Sequence, residues 1–397
     1  MNRKKSPVIG PLHGIKILDL TTVVMGPAAT QMLGDMGADV IKIESPVGDT
    51  MRAIGPFKNP GMGPLFFQCN RNKRSVVLDL KQEADKEALW ALAKQCDVVV
   101  SNIRPQALER LGISYARLAQ ENPGVIFCSA VGYGTDGPYC GQAVYDDLMQ
   151  SASGISGLFG EVDGAPRYAP INICDRVVGL HISSAILAAL VHCKSTGEGQ
   201  EIEVPMFETM AQFVLGDHLG GAAFSPSEGP MKYKRLMSRT RGPYPTQDGH
   251  LSLVVYTNKH WRAFTKLVGE PDLLDRDPRF LDQESRTQNA EAMGQYLQTH
   301  LPQRSNAEWT QVLRANDIPV APVNSVESLF DDEHLKAVGL FEEIEHPTEG
   351  LLRTTRFPIR FGKTPASIRR LAPNLGEHNA EVFQEFNVPH TTKRTAV

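Results

Sequence analysis

The sequence predicts an α/β protein: a doubly wound, Rossmann-like large domain accompanied by a smaller α+β domain. Three observations lead there. Short β-rich apolar runs alternate with helix-period segments over the first half of the chain. The composition changes abruptly between Gly221 and Pro245, where Gly, Pro, Ser, Lys and Arg replace any apolar period. The length of 397 residues exceeds what one hydrophobic core usually organises.

The elements follow in order. Ile15–Leu20 reads as a strand, Thr21–Pro27 as a turn of small residues, and Ala28–Met36 as a helix opened by Pro27 and closed by Gly37. Ala38–Glu44 returns as a strand, so the unit is a right-handed parallel crossover. Ser75–Leu80, Asp97–Asn102 and Gly124–Val131 continue the sheet, with helices at Gln82–Cys96 and Pro105–Gln120 between them. A buried helix of small and apolar residues is expected from Val177 to Val191, then a strand at Glu201–Met206 and a helix at Phe207–Gly220. These boundaries give a large domain over 1–220, a linker over 221–245, a small domain over 246–339, and a segment over 340–397 that returns to the large domain.

Charge and composition narrow the function. With 41 Lys and Arg against 45 Asp and Glu, the net charge of −4 argues against general nucleic-acid binding, so an anionic ligand needs a local basic cluster. The basic segment Met1–Ser6 is not followed by an apolar signal core, and no uninterrupted apolar run has membrane-spanning length. No membrane association is expected. The six cysteines have no metal-ligand spacing and read as small core residues in a reducing cytoplasm; no metal site is expected.

Asp175 stands between a Pro-containing lead-in and the small-residue helix, and reads as an N-cap. The positive helix end is expected to keep it ionised and nucleophilic, although an ordinary capping role accounts for the same residue. Gly132, Gly134 and Gly137 satisfy G-x-G-x-x-G after a strand, but Pro138 follows where the dinucleotide fingerprint needs a helix, so NAD is not expected. The stretch Asn70–Arg74, Lys81, Arg104 and Arg110 cluster at strand ends, where a phosphate-bearing ligand would lie; a solvated basic rim is the plain alternative.

Several stretches in one order resemble the family III CoA-transferases, the group of formyl-CoA transferase and carnitine CoA-transferase. They are Pro11–Leu20, Gly26–Glu44, Asn70–Lys81, Arg104–Pro105, Gly132–Pro138 and Ile186–Gln200. The resemblance implies that Asp175 is the nucleophile. It implies CoA contacts at Val24, Met25, Leu78, Lys81, Asn102, Ile103, Arg104, Arg110, Ala143, Tyr145 and Asp146, and an interlocked homodimer. The substrates implied are an acyl-CoA and a small carboxylic acid, with coenzyme A as substrate and no tightly bound cofactor. Two departures bear on the acid. Ser45 stands where the formyl branch has arginine, and the basic Met231–Arg241 replaces that branch's glycine-rich loop. Lys232, Lys234, Arg235, Arg239 and Arg241 suit a second carboxylate, hence a dicarboxylate such as succinate. The rival readings are an α-methylacyl-CoA racemase, whose histidine is replaced here by Tyr145, and a non-catalytic CoA-binding protein.

Overall fold

The computed structural model describes residues 10–388, so the basic Met1–Ser6 segment lies outside the described residues. Six parallel strands form the main sheet: β1 Lys16–Leu20, β2 Asp39–Glu44, β3 Lys73–Val77, β4 Val98–Ser101, β5 Ile126–Val131 and β6 Glu201–Pro205. Their order, β3-β2-β1-β4-β5-β6, is the doubly wound arrangement, and the direction of winding reverses between β1 and β4. Strands such as Val98–Ser101 are buried along their whole length because helices cover both faces, which is why they read as continuous apolar runs.

The helices of the first half are α1 Met25–Asp35, α2 Pro64–Asn70, α3 Glu83–Ala93, α4 Pro105–Leu111, α5 Tyr115–Glu121, α6 Asp146–Ala152 and α7 Ile155–Asp163. The long α8 Ile173–Thr196 and then α9 Met206–His218 follow. The single helix expected over Pro105–Gln120 is two helices, because Gly112 adopts a left-handed φ of 68° and closes the first. Helix α8 packs along α1. Ser183 Oγ donates to the Ala29 carbonyl at 3.2 Å, and a Cβ added at Gly179 would lie 3.0 Å from the Met25 carbonyl oxygen. Small residues on α8 therefore set how closely it approaches the start of α1. By length and composition α8 is apolar enough to cross a membrane, with a mean hydropathy of 1.6. Asp175, Arg176, His181 and His192 punctuate the helix, so the sequence shows no uninterrupted apolar run of that length here.

Two compact units emerge. The first holds the described residues up to Ser153, Ala169–Ala211, and those from Glu333 onward; the second holds Gly154–Tyr168 and Gln212–Asp332. The first includes the antiparallel hairpin of Phe341–His346 with Gly350–Thr355 and, after it, helix Asn379–Glu385. The second has a three-stranded antiparallel sheet, Tyr244–Pro245, His250–Leu253 and Val320–Pro322, and a core in which Trp261 meets Phe280 edge-on with ring centroids 5.2 Å apart. The stretch expected as a linker thus supplies a strand to this sheet, and Gly154–Tyr168 segregates with it as well.

The basic stretch Asn70–Arg74 is not a ligand-facing rim. All five residues are buried, and their charges are consumed internally. Arg71 pairs with Asp35 at 2.7 Å, Lys73 with Asp19 at 2.9 Å, and Arg74 with Asp39, Glu381 and Glu385. Lys73 Nζ also donates to the Pro27 carbonyl and Asn70 Oδ1, so all three ammonium hydrogens have acceptors. Burial raises the pKa of Asp19, but Lys73 and Lys42 together with the Thr21 hydroxyl outweigh it and hold the carboxyl at about 2. Its lowered folded pKa adds stability that is present above its ordinary 3.8 and lost as the pH falls through about 2. Replacing Lys73 by Met leaves Asp19 buried and unpaired. We expect a loss of about 3–5 kcal/mol, read as a fall in the urea midpoint of the full chain; an unchanged midpoint at pH 7 would show that the pair contributes nothing.

Candidate active site

A cavity opens beyond the C-terminal ends of β1, β4 and β5, at the point where the sheet winding reverses. Its volume is about 480 Å³. The β1–α1 turn contributes Thr22, Val23 and Met25; Asn102, Ile103 and Arg104 follow β4; Gly132 and Tyr133 follow β5. The loop from Gly141 to Asp146 and the first turn of α8, through Asp175, complete the wall.

Each wall is fixed by contacts that use the expected residues in particular ways. Asn102 and Thr22 exchange two hydrogen bonds, the Thr22 N–H to Asn102 Oδ1 at 3.0 Å and Asn102 Nδ2 to the Thr22 carbonyl at 2.8 Å. The amide of Asn102 thus clamps the two strand ends together. Val23 has φ of 74°, a conformation that is strained for a β-branched residue, and its N–H donates to Asp49 Oδ1 at 3.3 Å. Gly132 leaves room for Val144, whose side chain a Cβ would strike at 2.5 Å. The glycine loop opens no helix toward a dinucleotide. Its Gly134 N–H donates to Glu208 Oε1 at 2.9 Å, and the Thr135 N–H donates to Glu203 Oε1 at 3.0 Å.

Asp175 is the third residue of α8, not its N-cap; Asn172 occupies the cap position and makes no side-chain capping bond. Another carboxylate holds the helix start instead. Asp146, buried at the head of α6, accepts the Asp175 N–H on Oδ1 at 2.9 Å and Gln150 Nε2 on Oδ2 at 2.6 Å. The Asp175 carboxylate is half-buried, and no described residue donates a hydrogen bond to it. Burial, then the neighbouring Asp146 charge, push its pKa up to about 7, with Arg176 pulling the other way. The expectation that the helix end keeps it ionised thus meets two opposing effects, burial and the Asp146 charge, which favour the protonated form. Burial and the two carboxylates also push the adjacent Cys174 thiol up to about 12, so it is protonated near neutral pH.

Among the residues expected at the site, Met25, Asn102, Ile103, Arg104, Ala143, Tyr145, Asp146 and Asp175 all line this one cavity. Val24 does not; it is buried against Ala28 and Cys69. Leu78 belongs to the core of the sheet with Leu89 and Leu92. Lys81 is exposed beyond β3, and its N–H donates to Asp79 Oδ1. Arg110 lies farther along α4, with Nε donating to the Gln106 carbonyl. Among the described residues Arg104 is the only cation in the lining, and it is exposed and forms no ion pair. Thr22, Val23 and Tyr133 also line it; they fall in the strand-end turns Thr21–Met25 and Val131–Gly137, where the sheet topology puts a ligand, although the sequence singles none of them out as a contact.

A doubly wound parallel sheet with a half-buried carboxylate, free of described hydrogen-bond donors, in its switch-point crevice has the layout of a ligand-binding α/β enzyme. The chain belongs to CoA-transferase family III, whose family model matches residues 12–379. It is 33% identical over 396 residues to succinate–glutarate CoA-transferase of Agrobacterium fabrum, covering 97% of each chain. It is also 33% identical to formyl-CoA:oxalate CoA-transferase of Streptomyces avermitilis, covering 94% of each. The crystal structure of Rv3272 from M. tuberculosis matches with a TM-score of 0.80 and 29% identity, over 94% of this chain and 99% of that one.

The raised Asp175 pKa has two measurable consequences. If the carboxylate is the reacting form, kcat/KM should rise with pH and level off above about 7. Asp146→Asn removes a like charge while keeping an acceptor for the helix N–H, so the acid limb should move to lower pH; an unmoved limb would detach the profile from this carboxylate pair. For stability the sign is opposite to that of Asp19. A folded pKa above the ordinary 3.8 makes stability fall as the pH rises from there to about 7. Asp175→Asn should therefore stabilise the protein above that window, by about 1–2 kcal/mol after discounting for partial exposure, and leave it unchanged below the window.

Proposed function

We propose that this CoA-transferase moves coenzyme A from an acyl-CoA to a dicarboxylic acid, with Asp175 as the covalent nucleophile. The observation that carries the mechanism is the half-buried Asp175 carboxylate, without a hydrogen-bond donor, in a cavity beyond the strand ends. A carboxylate stripped of water and donors is a stronger nucleophile than a solvated one. The substrate class is supported by the named activities of the relatives, which act on succinate, glutarate and oxalate.

In this reading an Asp175 oxygen attacks the thioester carbonyl carbon, the C–S bond breaks, and CoA leaves as the thiolate with the bonding pair. The product is an aspartyl–acyl anhydride. The thiolate then attacks the Asp175 carbonyl carbon, releasing the donor acid as its carboxylate and leaving CoA on Asp175 as a thioester. The acceptor carboxylate repeats the two exchanges in reverse order and restores Asp175. No net proton is consumed. Arg104 is the lining cation suited to a CoA phosphate, and Met25 and Ile103 offer apolar surface. Asn102 and Asp146 serve as positioning residues, since their side chains are engaged with Thr22 and with Gln150 and the α8 backbone. CoA is a substrate here, and no tightly bound cofactor enters the scheme. The racemase reading needs a base at the place of Tyr145, a phenol that is 67% exposed.

The quaternary reading is an interlocked homodimer. Large apolar side chains left uncovered on a single chain support it: Val191 at 68%, Ile171 at 63% and Leu180 at 55% exposure. Cysteines that are all free among the described residues support a reducing, cytoplasmic setting.

Incubation with acyl-CoA in the absence of acceptor should leave an acyl or CoA adduct on the peptide spanning Pro170–Arg176, detected by mass spectrometry. Asp175→Asn should abolish the adduct and lower turnover by orders of magnitude. Because Asp175 caps nothing, Asp175→Ala should fold as well as Asp175→Asn. Near wild-type transfer by either variant would exclude the covalent route. Arg104→Ala should weaken CoA binding by about 1.5–3 kcal/mol; equal affinity by calorimetry would remove the phosphate assignment.

A further inference from the structure

The smaller unit contains a second cavity, of about 80 Å³. Its polar side carries three guanidinium groups, Arg235, Arg241 and Arg286; its apolar side is built from Leu253, Trp261, Met293 and Leu297. The five cations of the basic stretch divide here. Lys232 is paired with Glu161 at 2.6 Å and Lys234 is bonded to Gln288, so both are already engaged. Arg235 and Arg241 line the cavity, whereas Arg239 does not.

Arg286 is the unusual member. It is 4% exposed, so a full positive charge is held inside the unit. Its Nη1 donates to the Phe280 carbonyl at 2.8 Å and its Nη2 to Asn258 Oδ1, while its Nε–H has no partner. Among the described residues none of the three arginines forms an ion pair with a carboxylate. The nearby carboxylate of Glu291 accepts from Ser238 Oγ at 2.9 Å instead. Burial raises the Tyr244 phenol, and both Arg235 and Arg241 draw it back, which puts their charges around the same small volume. A buried donor left unsatisfied is costly, and more so when charged. That cost falls on Arg286, which Asp282 offsets only from a distance; Arg235, half-buried over the Tyr256 ring at 5.8 Å, and the exposed Arg241 add two more guanidiniums without a carboxylate partner on the same cavity.

We propose that this cavity is a binding site for a small aliphatic dicarboxylate. Two carboxylates would accept the free N–H groups of the arginines, whose planar forks suit bidentate pairing. The intervening methylenes would lie on Trp261 and Leu253. Inorganic phosphate shares the charge but leaves the apolar wall unused, and a monocarboxylate leaves at least one guanidinium unmatched. The proposal goes beyond the transfer reaction assigned to Asp175 and concerns the smaller unit alone.

The test is calorimetric titration of the full-length Asp175→Asn protein, without CoA, using pentanedioate, pentanoate and inorganic phosphate as separate probes. Pentanedioate should bind saturably, and tighter than either of the others by about tenfold or more. Arg235→Ala and Arg241→Ala should each weaken it by about tenfold. These two carry the test because Arg286→Gln also removes bonds that hold Phe280 and Asn258, and a melting curve would confirm that both alanine variants fold. Unchanged affinity in both variants, or phosphate or pentanoate binding as tightly as pentanedioate, would overturn the site. The wild-type adduct assay separates the two ideas. An adduct without pentanedioate binding sinks only this site, and pentanedioate binding without an adduct sinks only the covalent route.

Discussion

Four fully buried charges beneath the β1–α1 turn hold the catalytic end of the sheet in place. Asp19 pairs with Lys73 and Lys42 pairs with Asp49, both at 2.9 Å. Isolated charges at such depth would cost many kcal/mol, so their presence requires that almost every donor and acceptor be matched. They are matched, and the partners are the turn itself. Asp19 accepts the Thr21 N–H and the Thr30 hydroxyl; Lys42 donates to the Thr21 carbonyl; Asp49 accepts the Val23 N–H. The strained backbone at Val23 is held where it is by this network. A hydrophobic core of the same volume could be equally stable, but it would supply no directional bonds to a cavity wall.

The same logic governs Asp175 with the opposite sign. At Asp19, ammonium groups overcome desolvation and keep the carboxylate charged; at Asp175, no described donor does so, and a second carboxylate adds repulsion. Two aspartates of one sheet end are thus driven apart in pKa by their surroundings alone, the usual mark of a division between structural and chemical roles. Asp146 acts on Asp175 in two ways. By accepting the α8 N–H it anchors the helix that carries Asp175, and by its charge it keeps that residue poised between protonation states.

The sheet was legible because strands buried on both faces produce continuous apolar runs, and the turns between them carry Gly and Pro. Asp175 was legible as the one carboxylate before a long small-residue helix. What stayed hidden depends on contacts remote in sequence. Arg71 meets Asp35, Lys73 meets Asp19 and Arg74 meets Asp39, so a stretch that looks like an exposed basic rim is neutralised in the interior. The capping role read into Asp175 fell to Asp146, 29 positions away. Short helices such as Asp146–Ala152 span too few turns to show an apolar period, so from sequence Tyr145–Asp147 reads equally as a capping turn or as part of a site.

The cavity shows why a set of expected ligand contacts divides once side-chain partners are known. A group can serve a ligand only with donors or charge that the protein has not already used. By that criterion Asn102 and Asp146 are spent, and Leu78 is committed to the core. Arg104 and Asp175 retain an unpaired charge each, one beyond β4 and one at the start of α8, on the same cavity. In the proposed reading, the first would meet a nucleotide phosphate and the second the reacting carbonyl of one substrate. In the proposed mechanism, binding energy gathered at the cation would drive the thioester against a half-buried carboxylate that no described residue solvates.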